Sequence, residues 1–231
     1  MVTAPIVTSE LSKIYGEGST AVTAVSGVTL SFREGEVVGL FGPSGSGKTT
    51  LLSLFGCLLT PTSGSLSLYG REVSGLDECS LATLRKQYIS FIFQGFNLFP
   101  ALTVYENVML GLHVKGERGE NAHDKACKII EEVGLAERSD FLPRDLSGGQ
   151  KQRVSVARAL AASAPIILAD EPTANLDLDN GRKIMEMLHA LAKLENKCVI
   201  VATHDTRIWS AFDRLLLMED GRIDRKLTRK S

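Results

Sequence analysis

The sequence has 231 residues, 44% of them hydrophobic and 23% charged, which is ordinary globular composition with enough apolar material for one sizeable core. Its 26 basic and 27 acidic residues leave a formal charge of −1, so the basic excess that marks a nucleic-acid binder is missing and no nucleic-acid partner is expected. No charged start followed by an apolar core marks a secretory signal, and no run nears the ~18 apolar residues of a transmembrane helix, so work at a membrane requires a partner that spans it.

In chain order, the segment from Ile6 to Glu36 reads as β-hairpins, rich in Val, Thr and Phe and broken by glycines. "VVGLF" (Val37 to Phe41) is a short continuous apolar run, the form taken by a strand buried on both faces. A glycine loop follows, then "KTTLLSLFGCLL" as a helix, a turn at Thr60 to Gly64, and the alternating strand "SLSLYG". "ISFIF", just before Gln94, is another apolar strand. "TVYENVMLGL" opens with the T-x-x-E cap of Thr103 and Glu106 and continues with helical apolar spacing. "HDKACKIIEEVGL" places Ala126, Ile129, Ile130 and Val133 on one face and stops at Gly134. With a further helix after Ser147, the region from about Leu81 to Ala162 reads as a mostly helical sub-domain. Strands return at Ile166 to Asp170, Cys198 to His204 and Arg214 to Ile223, the first two separated by a helix with Ile184, Met187, Leu188 and Leu191 at core spacing. Strand–helix–strand order implies a parallel, twisted α/β sheet with helices on its faces. The cysteines Cys57, Cys79, Cys127 and Cys198 are scattered, with no metal-like spacing to histidine, and read as buried, reduced thiols.

Two stretches are built to receive anions. "GPSGSGKTT" comprises Gly42, Pro43, Ser44, Gly45, Ser46, Gly47, Lys48, Thr49 and Thr50, lies between a buried strand and a helix, and fits G-x4-G-K-[ST]. Gly45 and Gly47 let the backbone wrap a β-phosphate, Lys48 adds a point charge for the β- and γ-phosphates, and the Thr49 hydroxyl suits Mg²⁺. About a hundred residues later "LSGGQKQR" has Ser147 as N-cap, Gln150 three residues on as a capping box, and the bare amides of Gly148 and Gly149 between them.

Other candidates are ambiguous alone. Asp170 and Glu171 end the buried strand "IILAD", a position that is often an exposed loop end; beside a phosphate loop, Asp170 suits Mg²⁺ through water and Glu171 suits polarising an attacking water. Gln94 after its strand is either a surface residue or a neutral metal or water contact. His204 is either a structural histidine or a γ-phosphate partner. Tyr15 reads equally as an adenine-stacking aromatic and as a surface residue of an edge strand.

The order Tyr15, "GPSGSGKTT", Gln94, "LSGGQ", "IILADE", "NLD" (Asn175 to Asp177) and His204 resembles the nucleotide-binding subunit of ABC transporters over nearly the whole chain. The resemblance implies an α/β P-loop NTPase fold, with a parallel-sheet core, an antiparallel β subdomain and an inserted helical subdomain at about 81–162, in one nucleotide-binding domain spanning 1–231. It implies an ATPase using ATP and Mg²⁺, with Tyr15 on the adenine, Lys48 on the phosphates, Thr49 and Gln94 as Mg²⁺ ligands, Glu171 as the catalytic carboxylate and His204 as the switch histidine. It further implies a head-to-tail, ATP-dependent dimer in which Ser147, Gly148, Gly149 and Gln150 of one copy cover the γ-phosphate held by the other. That would explain why one chain carries two anion sites. The partner expected at the membrane is an integral permease, which holds the chain at the cytoplasmic face, and the apolar Phe96, Leu98 and Phe99 mark either its contact or packing beneath the helical sub-domain.

"FQGFNLFPALTVYENV", "LSGGQKQRVSVARAL" and "DEPTANLD" resemble the lipoprotein-releasing, macrolide-export and haem- or heterocyst-exporter ATPases. The same stretches are partly shared with amino-acid importers and with a cell-division-type signalling ATPase, so those alternatives stay open at this point. Soluble members acting on ribosomes or DNA ends carry paired domains or long coiled-coil insertions, which do not fit 231 residues.

Overall fold

The computed structural model describes residues 3–174 and 176–228. Among the described residues ten strands form two sheets. The first is antiparallel, in the order β2-β1-β4-β5, from β1 (Ile6–Tyr15), β2 (Val22–Ser31), β4 (Ser63–Leu68) and β5 (Arg71–Glu72). The second has the order β10-β9-β3-β8-β7-β6, from β3 (Val37–Phe41), β6 (Ile89–Ile92), β7 (Ile166–Asp170), β8 (Cys198–Thr203), β9 (Arg214–Glu219) and β10 (Arg222–Thr228). Its strands from β9 to β6 are parallel, and β10 closes one edge antiparallel to β9.

The burial pattern follows from the residues. β3, β7 and β8 are buried at every position, which is why they read as unbroken apolar runs rather than alternations. Along β8, Cys198, Ile200 and Ala202 face one core while Val199 and Val201 face the other. The first core lies against the antiparallel sheet and α1 (Lys48–Phe55), around Phe32 and Phe55, whose rings meet edge to face at 5.4 Å. The second lies under α5 (Gly148–Ala161) and α6 (Leu178–Glu195).

A third cluster is purely helical. Val104, Val108 and Leu112 of α3 (Val104–Val114), Ala122, Ala126 and Ile130 of α4 (Gly119–Glu132), and Val154, Ala157 and Ala161 of α5 fill it. Both expected capping boxes are present, Thr103 with Glu106 and Ser147 with Gln150. The helical stretch expected from about residue 81 contains a strand of the central sheet: β6 follows α2 (Glu78–Tyr88) and pairs with β7.

Three further expectations are adjusted. Arg214 to Ile223, read as one strand, is a hairpin whose turn places Asp220 at φ 45° and Gly221 at φ 76°. The strand read as Cys198 to His204 ends at Thr203, one residue before the histidine. The cysteines split: Cys57 and Cys198 are buried, with burial pushing the Cys57 thiol up to about 11, while Cys79 and Cys127 are exposed.

The loop between β6 and α3 is shaped by one fully buried amide. Asn107 Oδ1 accepts from the Phe99 N–H at 2.9 Å, and Nδ2 donates to the carbonyls of Leu102 at 2.9 Å, Thr103 at 2.9 Å and Phe99 at 3.2 Å. The Thr103 and Phe99 carbonyls keep backbone partners in the Asn107 and Leu102 N–H groups, so Asn107→Ala strands the Phe99 N–H and the Leu102 carbonyl and is expected to cost about 2–3 kcal/mol. For a chain of this size that is a Tm drop of roughly 5–10 °C. Thermal denaturation showing an unchanged Tm would remove this amide from its structural role.

Candidate functional site

Four loops at the carboxyl ends of parallel strands converge, where open α/β sheets place their ligands. After β3, the chain turns through residues 42–47 into α1, and Gly47 adopts φ 102° at its N-cap. A Cβ at Gly47 would lie 2.2 Å from the Ala24 carbonyl oxygen, and one at Gly42 would lie 2.2 Å from that of Met218. Only glycine fits at either point. Lys48 is 7% exposed, and its Nζ donates to the carbonyls of Gly42 at 2.8 Å and Pro43 at 2.9 Å. Burial pushes its ammonium below the usual lysine range, against the opposing pull of Glu171 and Asp170.

After β7 come the two carboxylates. Asp170 is 8% exposed; burial raises its carboxyl above the usual carboxylate range, the Thr49 hydroxyl bonded to it pulls the other way, Glu171 adds to the rise and Lys48 opposes it. Its Oδ1 is buried and makes no hydrogen bond within the described chain. Glu171 sits in the left-handed region at φ 48°, a strained conformation for a side chain of this size. Its N–H bonds the Ala202 carbonyl at 2.8 Å, its Oε1 accepts from His204 Nδ1 at 2.8 Å and its Oε2 from Thr203 Oγ1 at 3.1 Å. Because a carboxylate oxygen only accepts, Nδ1 is the protonated nitrogen in this contact.

Together these loops enclose a cleft of about 470 Å³. Pro43, Ser44, Gly45, Gly47, Lys48, Thr49, Thr50, Gln94, Glu171 and His204 all line it, with Ala24 of β2. Gly42 contributes through the carbonyl that holds Lys48, and Ser46 is buried behind the loop, its hydroxyl making no hydrogen bond within the described chain. A neighbouring cavity of about 450 Å³ shares Gln94, Glu171 and His204 and extends past Thr173 and Asp205, so Glu171 stands where two spaces meet.

Two sets of expected residues lie elsewhere. Tyr15 is 41% exposed at the end of β1, with Lys13 Nζ 5.5 Å from its ring centre, and does not line the cleft. Ser147, Gly148, Gly149 and Gln150 form the start of α5, also away from the cleft. There the Gln150 N–H bonds Ser147 Oγ at 3.3 Å and the Ser147 N–H bonds Gln150 Oε1 at 2.8 Å. Of "NLD", Asn175 lies outside the described residues, while Asp177 caps α6 by accepting from the Asn180 N–H at 2.8 Å.

Sequence reasoning missed two supports. Thr203 is fully buried and holds both Glu171 Oε2 and, through the same Oγ1, the Asp205 N–H at 3.0 Å. Its signal was a lone hydroxyl in the otherwise apolar run "CVIVAT". Asn180 presses on Gly149: a Cβ there would lie 3.3 Å from its Cγ. No spacing rule connects these two positions.

The cleft's chemistry fits a magnesium-bound nucleotide. Glycines crowded against carbonyls hold the turn close to the cleft, a lysine supplies positive charge, and oxygen donors of the hard type that Mg²⁺ prefers lie beside a buried, unpartnered carboxylate oxygen.

Comparison with known proteins agrees. The ABC transporter family model matches residues 25–174, well over half of the chain. The uncharacterized ABC transporter ATP-binding protein MJ0796 of Methanocaldococcus jannaschii is 42% identical over 94% of this chain and 94% of its own length. The lipoprotein-releasing system ATP-binding protein LolD of Geobacter metallireducens is 40% identical over 93% of this chain and 95% of its own. The macrolide export ATP-binding/permease protein MacB of Rhodopseudomonas palustris is 41% identical over 91% of this chain, which spans 32% of that longer protein. The ATP-binding cassette MJ0796, in a dimeric post-hydrolysis state bound to ADP and Pi, superposes with a TM-score of 0.92 at 39% identity, over 98% of this chain and 99% of that one.

The raised Asp170 carboxyl has a consequence for stability. The folded chain takes up a proton before the unfolded chain as pH falls, so the penalty of the ionised group is in full force above its folded pKa and is lost progressively as pH falls from there to the unfolded value. Asp170→Asn removes that penalty and is expected to raise the Tm of the nucleotide-free protein at neutral pH. It is also expected to abolish the extra thermal stabilisation that Mg²⁺ adds to bound ATP. A lower Tm would show that Asp170 is well paired, against this account.

Proposed function

The chain belongs to the ABC transporter family, and from that premise we propose that it is the ATP-hydrolysing subunit of an exporter-type or force-transmitting membrane complex. The observation that carries the reading is a division of labour within one fold. The phosphate loop, Gln94, Glu171 and His204 share a cleft, while the anion-binding start of α5 lies outside it. A second copy, placed head to tail, would bring Ser147, Gly148, Gly149 and Gln150 to the exposed phosphates. The dimeric state of MJ0796 supports this arrangement.

The roles follow from the geometry. ATP takes the Lys48 ammonium from the carbonyls of Gly42 and Pro43, replacing two neutral acceptors by charged phosphate oxygens. Thr49 and Gln94 would hold Mg²⁺, with Asp170 behind them through water; bound there, the ion neutralises charge on the β- and γ-phosphates. Glu171 polarises a water that attacks the γ-phosphorus. The bond to the bridging oxygen breaks, ADP leaves with the electron pair, and the water's proton passes to the carboxylate. Thr203 and His204 fix the orientation of that carboxylate. Tyr15, exposed at the end of β1, which lies between β2 and β4 and is not the edge strand expected, is assigned the adenine ring.

Among the described residues no helix is long and apolar enough to cross a membrane. We place the chain at the cytoplasmic face of the cell membrane, as one nucleotide-binding domain held by a separate permease. The names of LolD and MacB support that partner and the exporter-type group. Phe99, 53% exposed on the loop that Asn107 shapes, is the residue offered to the permease.

Glu171→Gln is expected to keep ATP affinity, to lower turnover by a factor of about 10³, and to accumulate an ATP-bound dimer in light scattering. A variant that stays monomeric with ATP and its permease present would sink the composite site. Lys48→Ala is expected to lose ATP binding in an equilibrium titration, and unchanged affinity would overturn the phosphate-loop assignment. Extraction of the tagged chain from membranes in mild detergent is expected to bring a permease with few spans and a large extracytoplasmic part. A many-span permease with a binding protein would point to an importer instead.

A further inference from the structure

Two neighbouring residues just past Gln94 are held in a conformation that side chains avoid. Phe96 has φ 63° and Asn97 φ 47°, both left-handed, and neither is a glycine. Such a pair persists only where the surroundings over-determine it. Two local turns contribute, the Phe96 N–H bonding the Phe93 carbonyl at 3.0 Å and the Asn97 N–H bonding that of Gly95 at 2.7 Å, and a further determinant is on another element. Arg158 of α5 donates from Nη1 to the Asn97 carbonyl at 2.6 Å and from Nη2 to the Phe96 carbonyl at 3.1 Å. One planar fork therefore fixes two successive carbonyls, a task for which a lysine has the wrong shape.

The helix that carries this fork is itself anchored on both sides of Arg158. The Ala159 carbonyl accepts from Ser90 Oγ of β6 at 3.0 Å, tying α5 to the strand that leads into Gln94. Ala157 and Ala161 face the helical cluster, while Val156 and Ala159 face the core under the sheet. The same helix begins at the capping box of Ser147 and Gln150. Between the end of β6 and the clamped carbonyls the chain has only residues 93–95, with Gln94 among them lining the cleft.

We propose that Arg158 is a positioning residue for Gln94: by clamping Phe96 and Asn97 in left-handed geometry, it sets how far Gln94 reaches into the nucleotide cleft, and it ties that reach to the helix bearing Ser147–Gln150. The proposal rests on the reading of Gln94 as a cleft residue. Arg158 does not line the cleft, so its loss acts through the loop.

The test is a double-mutant cycle in the full-length chain, read as kcat and as the Mg²⁺ concentration giving half-maximal ATP turnover. Nucleotide affinity in EDTA serves as the control. Arg158→Ala is expected to lower kcat about tenfold and to raise the Mg²⁺ half-point, with affinity in EDTA unchanged. Added to Gln94→Ala, it is expected to have no further effect on either quantity. Arg158→Lys, which keeps charge and stem, serves if the alanine variant does not fold, and is expected to show the same losses in smaller measure. Glycine at 96 and 97 in the Arg158→Ala background is expected to restore part of the loss, because glycine adopts left-handed geometry without the clamp. A helix-packing role for Arg158 predicts no such rescue. Independent, multiplying effects of the two single variants on both quantities would overturn the proposal, as would a lowered Tm with kcat and Mg²⁺ half-point unchanged. If Gln94→Ala lowers kcat but leaves the Mg²⁺ half-point unmoved, the metal-contact role of Gln94 falls, while the clamp is still judged by the cycle on kcat.

Discussion

The site depends on a turn squeezed between two backbone carbonyls. Gly42 backs onto Met218 of β9 and Gly47 onto Ala24 of β2, one from each sheet. The phosphate loop therefore takes its shape only when the antiparallel sheet has docked on the central one, through the core that Phe32, Phe55 and Met218 share. Within the loop the Ser46 N–H closes a turn on the Pro43 carbonyl at 3.2 Å. The same loop explains the state of Lys48: a nearly buried ammonium needs partners, and the nearest are the carbonyls of the loop itself. In the proposed role, phosphate oxygens would replace them at little structural cost, because the lysine is already in place.

The same economy governs the carboxylates. In an extended strand the side chains of Asp170 and Glu171 would point to opposite faces. The left-handed turn at Glu171 breaks that alternation at the strand end. Its N–H still reaches Ala202, so the strain is held by the β7–β8 pairing and by the Thr203 and His204 contacts. Asp170 stays buried beside Thr49 and Glu171 stands between two spaces. Two adjacent residues of nearly identical chemistry thus acquire different environments, which is the condition for giving them different tasks.

What could be read from the sequence was local. Strands β3, β7 and β8 announce themselves because burial on both faces demands unbroken apolar runs, and the two capping boxes because their partners sit three residues apart. The cleft residues were legible because each follows such a strand. The failures share a cause as well. Reading Arg214 to Ile223 as one strand passed over "DG", a two-residue turn signal hidden in an otherwise continuous run. The exposure of Cys79 and Cys127 is set by which helix face the rest of the fold covers. Asn107, Arg158, Thr203 and Asn180 act on partners chosen by tertiary packing, and in three of the four the partner is a backbone atom whose identity leaves no mark in the sequence.

Helix α5 shows how such unmarked contacts organise the whole. It is a wall of two cores, giving Val156 and Ala159 to the one beneath the sheet and Val154, Ala157 and Ala161 to the one among the helices. Its first turn carries glycines, which leave room for a neighbour's side chain, and Gly149 is the point where Asn180 of α6 packs against it. A helix fixed on two faces and at its start cannot tilt alone. The helix start at Ser147, the Gln94 loop and the cap at Asp177 are thus joined through α5 by one continuous set of contacts: Arg158 on the carbonyls of Phe96 and Asn97, and Gly149 against Asn180, whose N–H bonds Asp177.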